Sequence, residues 1–472
     1  MSTLTLQRPA VRARRTPAVV RLLVLATFVV ILNETIMINA IPRLMESLGI
    51  AEESAQWVST AFMLTMAAVI PVTGWFLQRV TTRQAFALAM GVFLAGTAVA
   101  AAAPSFPVLL AGRIVQAGGT AVMMPLLMTT LMTVVPERDR GRVMGTVTLA
   151  MSVAPALGPA VSGLILQLGS WRLLFVAVLP IAAAVTVLGL RKVRNVGEPQ
   201  VSSIDWLSVA VAALGFGGLV YGLSRFGGSG GVAPGLIIVA AGLLATAVFV
   251  FRQRSLQRRG VPLLDLRVLK HRTFALSLAL MSIGFLAMLG SMILLPLYLQ
   301  HLRGLSPLET GLLVMPGGLA MGLLGPAVGK VFDAHGSRPL VLPGSIGMVL
   351  ALAGFSQVST TMPYWQVLGL HVLLMVSLAA MFTPVFALGM GALPPNLYSH
   401  GSSMLGTLQQ VAAAFGTALV VTVMSARTSN LVAAGVAAAP AQLSGMRLAF
   451  AVATALALLT VFLAARLRRQ AA

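Results

Sequence analysis

Gly329-Lys330-Val331-Phe332-Asp333-Ala334-His335-Gly336-Ser337-Arg338 has a counterpart far upstream in Gly74-Trp75-Phe76-Leu77-Gln78-Arg79-Val80-Thr81-Thr82-Arg83. The glycine, the polar residue four later and the arginine nine later coincide. Each stretch follows an apolar segment long enough to cross a bilayer, which takes about 20 residues. Membrane transporters are commonly assembled from related halves that rock about a midplane site, and a recurring loop is the trace such halves leave. The alignment therefore predicts two halves with an additional helix pair, about 205–252, between them.

Composition agrees with that reading. A chain of 472 residues that is 58% hydrophobic and only 9% charged, with a mean hydropathy of +0.94, is not a soluble domain. Fourteen apolar segments can be marked, the first near 20–42 and the last near 445–466. None shows the ten-residue alternation of a membrane barrel, so all read as helices and the fold class is an all-α polytopic membrane protein. The predicted organisation is a basic cytoplasmic segment 1–19, a six-helix bundle 20–190, a linker 191–204, the helix pair 205–252, a basic linker 253–272 expected along the lipid headgroups, a six-helix bundle 273–466 and a tail 467–472.

The net charge of +21 would suggest nucleic acid in a soluble protein. Here 25 of the 32 basic residues fall on one side of the fourteen segments, in clusters such as Arg138, Arg140 and Arg142 or the run from Arg252 to Arg272. That is the positive-inside pattern with both termini cytoplasmic, so the partner is the bilayer and no nucleic acid is expected. Arg14-Arg15 reads as anchor charge, because the apolar run after it is too long for a cleaved export signal. With no cysteine, a disulfide framework, a Cys-ligated zinc site and a thiol nucleophile are excluded. No His-Glu-x-x-His, paired intramembrane aspartates or Ser-His pairing emerges, so no catalytic residue, metal or cofactor is expected and the chain does not read as an enzyme. The absence of a nucleotide-binding glycine loop leaves an ion gradient, or the substrate's own, as the energy source.

One acid stands apart. Leu32-Asn33-Glu34-Thr35-Ile36-Met37-Ile38-Asn39-Ala40-Ile41-Pro42 places Glu34 inside the first strongly apolar segment, where an ionisable group is expensive and marks a functional site. The rise of a helix puts Glu34 roughly 12 Å below the outer end of its segment and Arg113, on an antiparallel one, roughly 9 Å below the same face. A carboxyl held between burial and a guanidinium can take up and release a proton near neutral pH; a static ion pair that fixes helix packing is the alternative. The other acids have simpler roles: Ser306-Pro307-Leu308-Glu309 is a capping box, Asp333 reads as a loop gating or helix-capping residue, and the rest lie in loops or at helix borders.

Taken in order, these motifs resemble the major facilitator superfamily, and within it the fourteen-helix drug:proton antiporters of the EmrB/QacA and lincomycin-resistance type, over essentially the whole chain. Gly74, Gln78, Arg79 and Arg83 are similar to that family's gating loop, with Gln78 at the usual acid and Thr81 at the usual second glycine. Gly329, Asp333, Gly336 and Arg338 keep both. Leu109 to Gly119, with Arg113 and Gln116, resembles the fourth-helix arginine motif. Pro155, Gly158, Pro159 and Gly163 resemble the fifth-helix antiporter motif, which implies export. Leu32 to Pro42 resembles the first-helix motif, with Asn33 at the usual aspartate and Glu34 beside it. The resemblance implies a major facilitator fold of two six-helix bundles plus two additional helices, a Glu34–Arg113 contact, and proton-coupled export of small amphipathic drugs by alternating access, acting as a monomer. An exporter of lipids or lipid-like metabolites with the same fold is the alternative.

Asn33, Asn39, Gln56, Trp57, Tyr298, His371, Gln409 and Gln410 are the polar or amphipathic side chains that could line a substrate cavity. His371 reads equally as a residue hydrogen-bonded to a neighbouring helix. Methionines such as Met123, Met128 and Met288 offer adaptable apolar surface, although ordinary packing accounts for most. With Glu34 the sole deep acid, neutral or amphipathic substrates are as plausible as multivalent cations. Arginine in large excess over lysine, with abundant alanine, points through codon bias to a GC-rich bacterial gene and a plasma-membrane location.

Overall fold

Fourteen helices in the computed structural model are long and apolar enough to cross a bilayer. The structure describes residues 17–37, 40–50, 52–196, 203–227, 232–260 and 262–467, and no strand occurs among them. The first half comprises α1 (Ala18–Ile36), a short α2 (Ile41–Leu48), α3 (Glu52–Arg79), α4 (Thr82–Ala101), α5 (Phe106–Val134), α6 (Arg140–Gln167) and α7 (Arg172–Lys192). The next span is broken: α8 (Trp206–Ala212) passes through a π turn, Ala213–Gly217, into α9 (Gly218–Ser224), and α10 (Val232–Arg258) returns. The second half contains α11 (Arg272–Leu297), α12 (Pro307–His335), α13 (Arg338–Phe355), α14 (Tyr364–Gly391), α15 (Tyr398–Ala433) and α16 (Ala438–Ala465).

Two six-helix bundles result. In one, α1 packs on α5, α6 and α7, while α4 packs on α5 and α7 and α3 on α5. In the other, α11 packs on α14, α15 and α16, and α13 on α14 and α16. Between them, α12 lies along α6 and α15 along α3, so the second span of each half meets the fifth span of the other. The additional pair is central in the chain but peripheral in the molecule: α9 touches α3 and α15, closing over that seam alone, and only 17% of the apolar window of α10 is buried.

Polar anchors hold the pair in place. Buried Gln253 donates to Ser208 Oγ at 2.8 Å and accepts from the Leu263 and Leu264 amides at 2.8 and 3.2 Å. Arg252 forks onto the Asp205 carboxylate through Nε and Nη2, both at 2.7 Å, and those bonds hold the Asp205 carboxyl down to about 2. Beyond α10 the connection packs part of its length onto the body of the protein. Its Leu263, Leu264 and Val268 are buried in the core, and Asp265 is 2% exposed. Burial works to raise the Asp265 carboxyl, yet the bonds and charge of Arg267 outweigh it and keep it below the ordinary carboxylate range.

The bundles are locked together at the end that carries both termini of the helical body. Gly141 and Gly145 of α6 meet Gly329 and Gly325 of α12 so closely that an added Cβ at any of them would strike opposing backbone. Close antiparallel approach through small residues is the usual way membrane helices gain packing without a hydrophobic driving force. Thr148 and Thr383 hydroxyls pair at 2.8 Å, Thr73 and Ser403 at 2.7 Å, and Thr129 and Ser402 at 3.1 Å. By helix rise these pairs lie within about 12 Å of that end.

Candidate functional site

Arg113 is 1% exposed on α5 and organises a polar cluster in the first bundle. Its Nη1 donates to Gln116 Oε1 at 2.5 Å and to Asn33 Oδ1 at 3.4 Å, while its guanidinium lies 4.2 Å above the Phe62 ring centroid. Gln116 in turn donates to Thr97 Oγ1 at 2.7 Å, and Thr97 to the Phe93 carbonyl at 2.7 Å. Arg113 and Gln116 stand one turn apart on α5, so both side chains reach the same side of the helix. Arg113 Nε and Asn33 Nδ2 are buried with no hydrogen-bond partner among the described residues.

Glu34 is not ion-paired with Arg113 within 4 Å, and the contact implied by the family resemblance is made by Asn33 instead. The reason is rotational, since successive residues of an α-helix point about 100° apart. Asn33 faces α5 through Arg113; Thr35 faces α6, where its hydroxyl approaches the Ala154 carbonyl at 3.5 Å and its side chain fills the place of a Cβ on Gly158. Ile36 is buried behind them. Glu34 therefore projects between the α5 and α6 directions, away from Ile36, and is half-buried while Asn33 is 0% exposed. The charges of Glu34 and Arg113 still interact through space. The arrangement sets one half-buried carboxyl near a guanidinium kept in place by neutral partners. A proton can come and go from such a carboxyl without the guanidinium losing its hydrogen bonds.

The two copies of the repeated loop are not equivalent. Asp333 accepts from the Gly141 and Arg142 amides, each at 2.7 Å, and so caps the first turn of α6, whose amides lack intrahelical partners. Gly336 has φ of +76°, which suits glycine at the helix end, and exposed Arg338 begins α13. In the first copy, Gln78 Nε2 donates to the Asn396 carbonyl at 3.0 Å. Gly74 packs against His400 and Ser403 of α15, Arg79 lies 5.2 Å over the Trp75 ring, and the Arg83 amide donates to Asn195 Oδ1 at 3.2 Å. In the α6 motif Pro155 is half-buried, Gly158 contacts Thr35, and Gly163 faces open space. The Pro159 and Gln56 side chains, and Asn39, lie outside the described residues.

Several expected substrate contacts are committed elsewhere. Tyr298 is 0% exposed, donates to the Ser359 carbonyl at 2.6 Å and accepts from Arg303 at 2.9 Å. Trp57 stacks on Tyr221 of α9 with centroids 5.6 Å apart. His371 is buried against Gly317, and its Nδ1 has no hydrogen-bond partner among the described residues. Gln409 and Gln410 are half-buried on α15, and Gln410 continues the row Ser403, Gly406 that faces α3. Phe62 and Thr97 join the cluster without a motif to mark them. The glycines at four-residue spacing on α6 and α12 were visible in the sequence as a small-residue pattern.

The major facilitator superfamily model matches residues 23–417. An uncharacterised major facilitator transporter, YcnB of Bacillus subtilis, is 37% identical over 99% of this chain and 98% of its own length. The lincomycin resistance protein LmrB of Listeria monocytogenes is 38% identical over 85% of each chain. A multidrug resistance protein B homologue of Mycobacterium tuberculosis is 28% identical over 84% of this chain and 74% of its own. Among solved structures, the human organic anion transporter MFSD10 superposes with a TM-score of 0.67 at 17% identity, over 95% of this chain and all of that one. The proton:xylose symporter XylE superposes with a TM-score of 0.63 at 15% identity, over 94% and 95% of the chains. These two share the fold. With fourteen spans and bacterial relatives, the protein is a multi-pass protein of the bacterial plasma membrane.

Proposed function

The chain belongs to the major facilitator superfamily, and we propose that it exports amphipathic or hydrophobic drugs in exchange for protons, with Glu34 as the proton carrier. Relatives named for lincomycin and multidrug resistance support the substrate class. The observation that supports the reading is a half-buried Glu34 left outside the hydrogen bonds by which Asn33 and Gln116 hold Arg113. The bundles are joined at the basic end, which the charge pattern assigns to the cytoplasm, so Glu34 is accessible from the opposite side. A proton arriving from outside neutralises the carboxyl and releases bound substrate. Reorientation of the 20–190 and 273–466 bundles then exposes Glu34 to the cytoplasm, where loss of the proton restores the drug site. The 205–252 pair rides on the α3/α15 seam, and a monomer suffices.

Energetics favour neutral cargo. One proton driven by one pH unit supplies about 1.4 kcal/mol, and a potential of about 100 mV adds about 2.3 kcal/mol per charge moved. Exchange of one proton for a neutral drug uses both, enough for a gradient of several hundred-fold. Exchange for a monovalent cation moves no net charge and uses the pH gradient alone, about tenfold.

The test is pH-gradient-driven transport in proteoliposomes of neutral and cationic amphiphiles, a lincosamide included, with wild type beside Glu34→Gln, Glu34→Asp and Arg113→Ala. Substrate-dependent proton flux that is lost in Glu34→Gln and partly kept in Glu34→Asp supports the proposal. Gradient-independent transport indifferent to Glu34→Gln overturns it and moves the reading toward lipid transport.

A further inference from the structure

The additional helix pair carries a feature that drug export does not use. A crevice of about 470 Å³ opens between α8 and the last three turns of α10. Its apolar wall is formed by Leu207, Val211, Val248 and Phe251, of which Leu207, Val248 and Phe251 are 54%, 47% and 69% exposed. Its mouth carries Arg252, Ser255 and Arg259. Val248, Arg252, Ser255 and Arg259 follow one another at helical spacing and form a single stripe about 16 Å long. The stripe runs from hydrocarbon depth to the basic end of the protein.

We infer that this crevice binds an anionic phospholipid of the cytoplasmic leaflet, with the phosphodiester at Arg252, Ser255 and Arg259 and an acyl chain along Leu207, Val248 and Phe251. The charge balance favours an anion. No acid lines the crevice among the described residues; the nearby Asp205 is occupied by Arg252 Nε and Nη2, and Arg252 Nη1 makes no hydrogen bond among the described residues. Arg254, Arg258 and Arg259 make no ion pair among the described residues. The polarity gradient along the stripe matches a phospholipid, whose charged and apolar ends are joined, and does not match a soluble phosphate. Basic pockets between membrane helices on the cytoplasmic side are suited to such headgroups. Bound there, the lipid would fill the groove between α8 and α10 and fasten the pair that covers the α3/α15 seam.

The experiment uses the purified full-length protein and three probes: dioctanoyl phosphatidylglycerol, dioctanoyl phosphatidylcholine and glycerol phosphate. Native mass spectrometry of lipid adducts and thermal stabilisation are read for wild type, Arg259→Gln and Leu207→Trp. The inference expects wild type to prefer phosphatidylglycerol over phosphatidylcholine. Arg259→Gln should weaken phosphatidylglycerol about fivefold, the effect of one basic residue at a membrane surface, and leave phosphatidylcholine unchanged. Leu207→Trp, which fills the crevice without altering charge, should weaken phosphatidylglycerol as well. Equal binding of the two lipids, or a phosphatidylglycerol preference that survives both variants, overturns it. Stabilisation by glycerol phosphate equal to that by the lipid assigns the crevice to a soluble anion and also overturns it.

Discussion

Asp333→Asn isolates the clamp that joins the bundles. The Asp333 carboxylate accepts two amide hydrogen bonds of 2.7 Å from Gly141 and Arg142, in the first turn of α6. Hydrogen bonds to a charged group contribute about 1.5–3 kcal/mol each, and a negative charge at a helix N-terminus adds about 0.5 kcal/mol. Asparagine keeps one acceptor but turns an NH2 toward the other amide and removes the charge. The expected loss is about 2 kcal/mol, which shifts the balance between closed and open at the basic end roughly 30-fold. Gln78 makes a single neutral bond to the Asn396 carbonyl, worth about 1 kcal/mol, so Gln78→Ala should shift the same balance about fivefold. The chain has no cysteine, so spin labels at Lys192→Cys and Ala465→Cys, both exposed at that end, report only the separation of the bundles. Double electron–electron resonance should show a new long-distance population in Asp333→Asn and a smaller one in Gln78→Ala. Superimposable distributions for Asp333→Asn and its parent would refute the reasoning.

Gly145→Ala places a methyl against the Gly325 carbonyl, an overpacking that costs about 1–3 kcal/mol; the same label pair should separate, and an unmoved distribution contradicts the glycine seam as the site of closure. Gln116→Leu strips Arg113 of its 2.5 Å acceptor and should lower stability by about 3 kcal/mol in chemical unfolding, whereas a neutral result means another group takes over the guanidinium. Asp205→Asn removes the forked pair to Arg252 and should cost about 1 kcal/mol, discounted because the Arg252 side chain is 34% exposed. The folded Asp205 carboxyl sits near 2 against its ordinary 3.8, so this stability is present above about pH 4 and disappears as pH falls toward 2. A difference in Tm between wild type and Asp205→Asn that persists at pH 2 would contradict the assignment.

The spans and the halves were legible because length, hydropathy and basic loops are properties of the chain itself. Ser306 and Glu309 form the reciprocal cap that their spacing indicates. What eluded the sequence is direction around a helix. Asn33 and Glu34 share a depth, yet the 100° between them decides which meets Arg113, and only packing against α5 and α6 reveals it. Tyr298, Trp57 and His371 show the same limit. An amphipathic side chain in a membrane segment reads as a cavity contact, and only the fold shows which neighbours it has there. The packing of the linker after α10 was not legible because a reading by charge sees Arg259, Arg267 and Lys270 and not the three apolar residues that fold back into the core.

Proton release on drug binding tests the central claim most directly. Purified protein in weakly buffered detergent solution, with a pH-sensitive dye, should release protons when a transported amphiphile is added to wild type near the midpoint of Glu34 titration. Glu34→Gln should bind the same compound, scored by quenching of tryptophan fluorescence, and release none. Equal proton release from both proteins would remove Glu34 from the coupling mechanism.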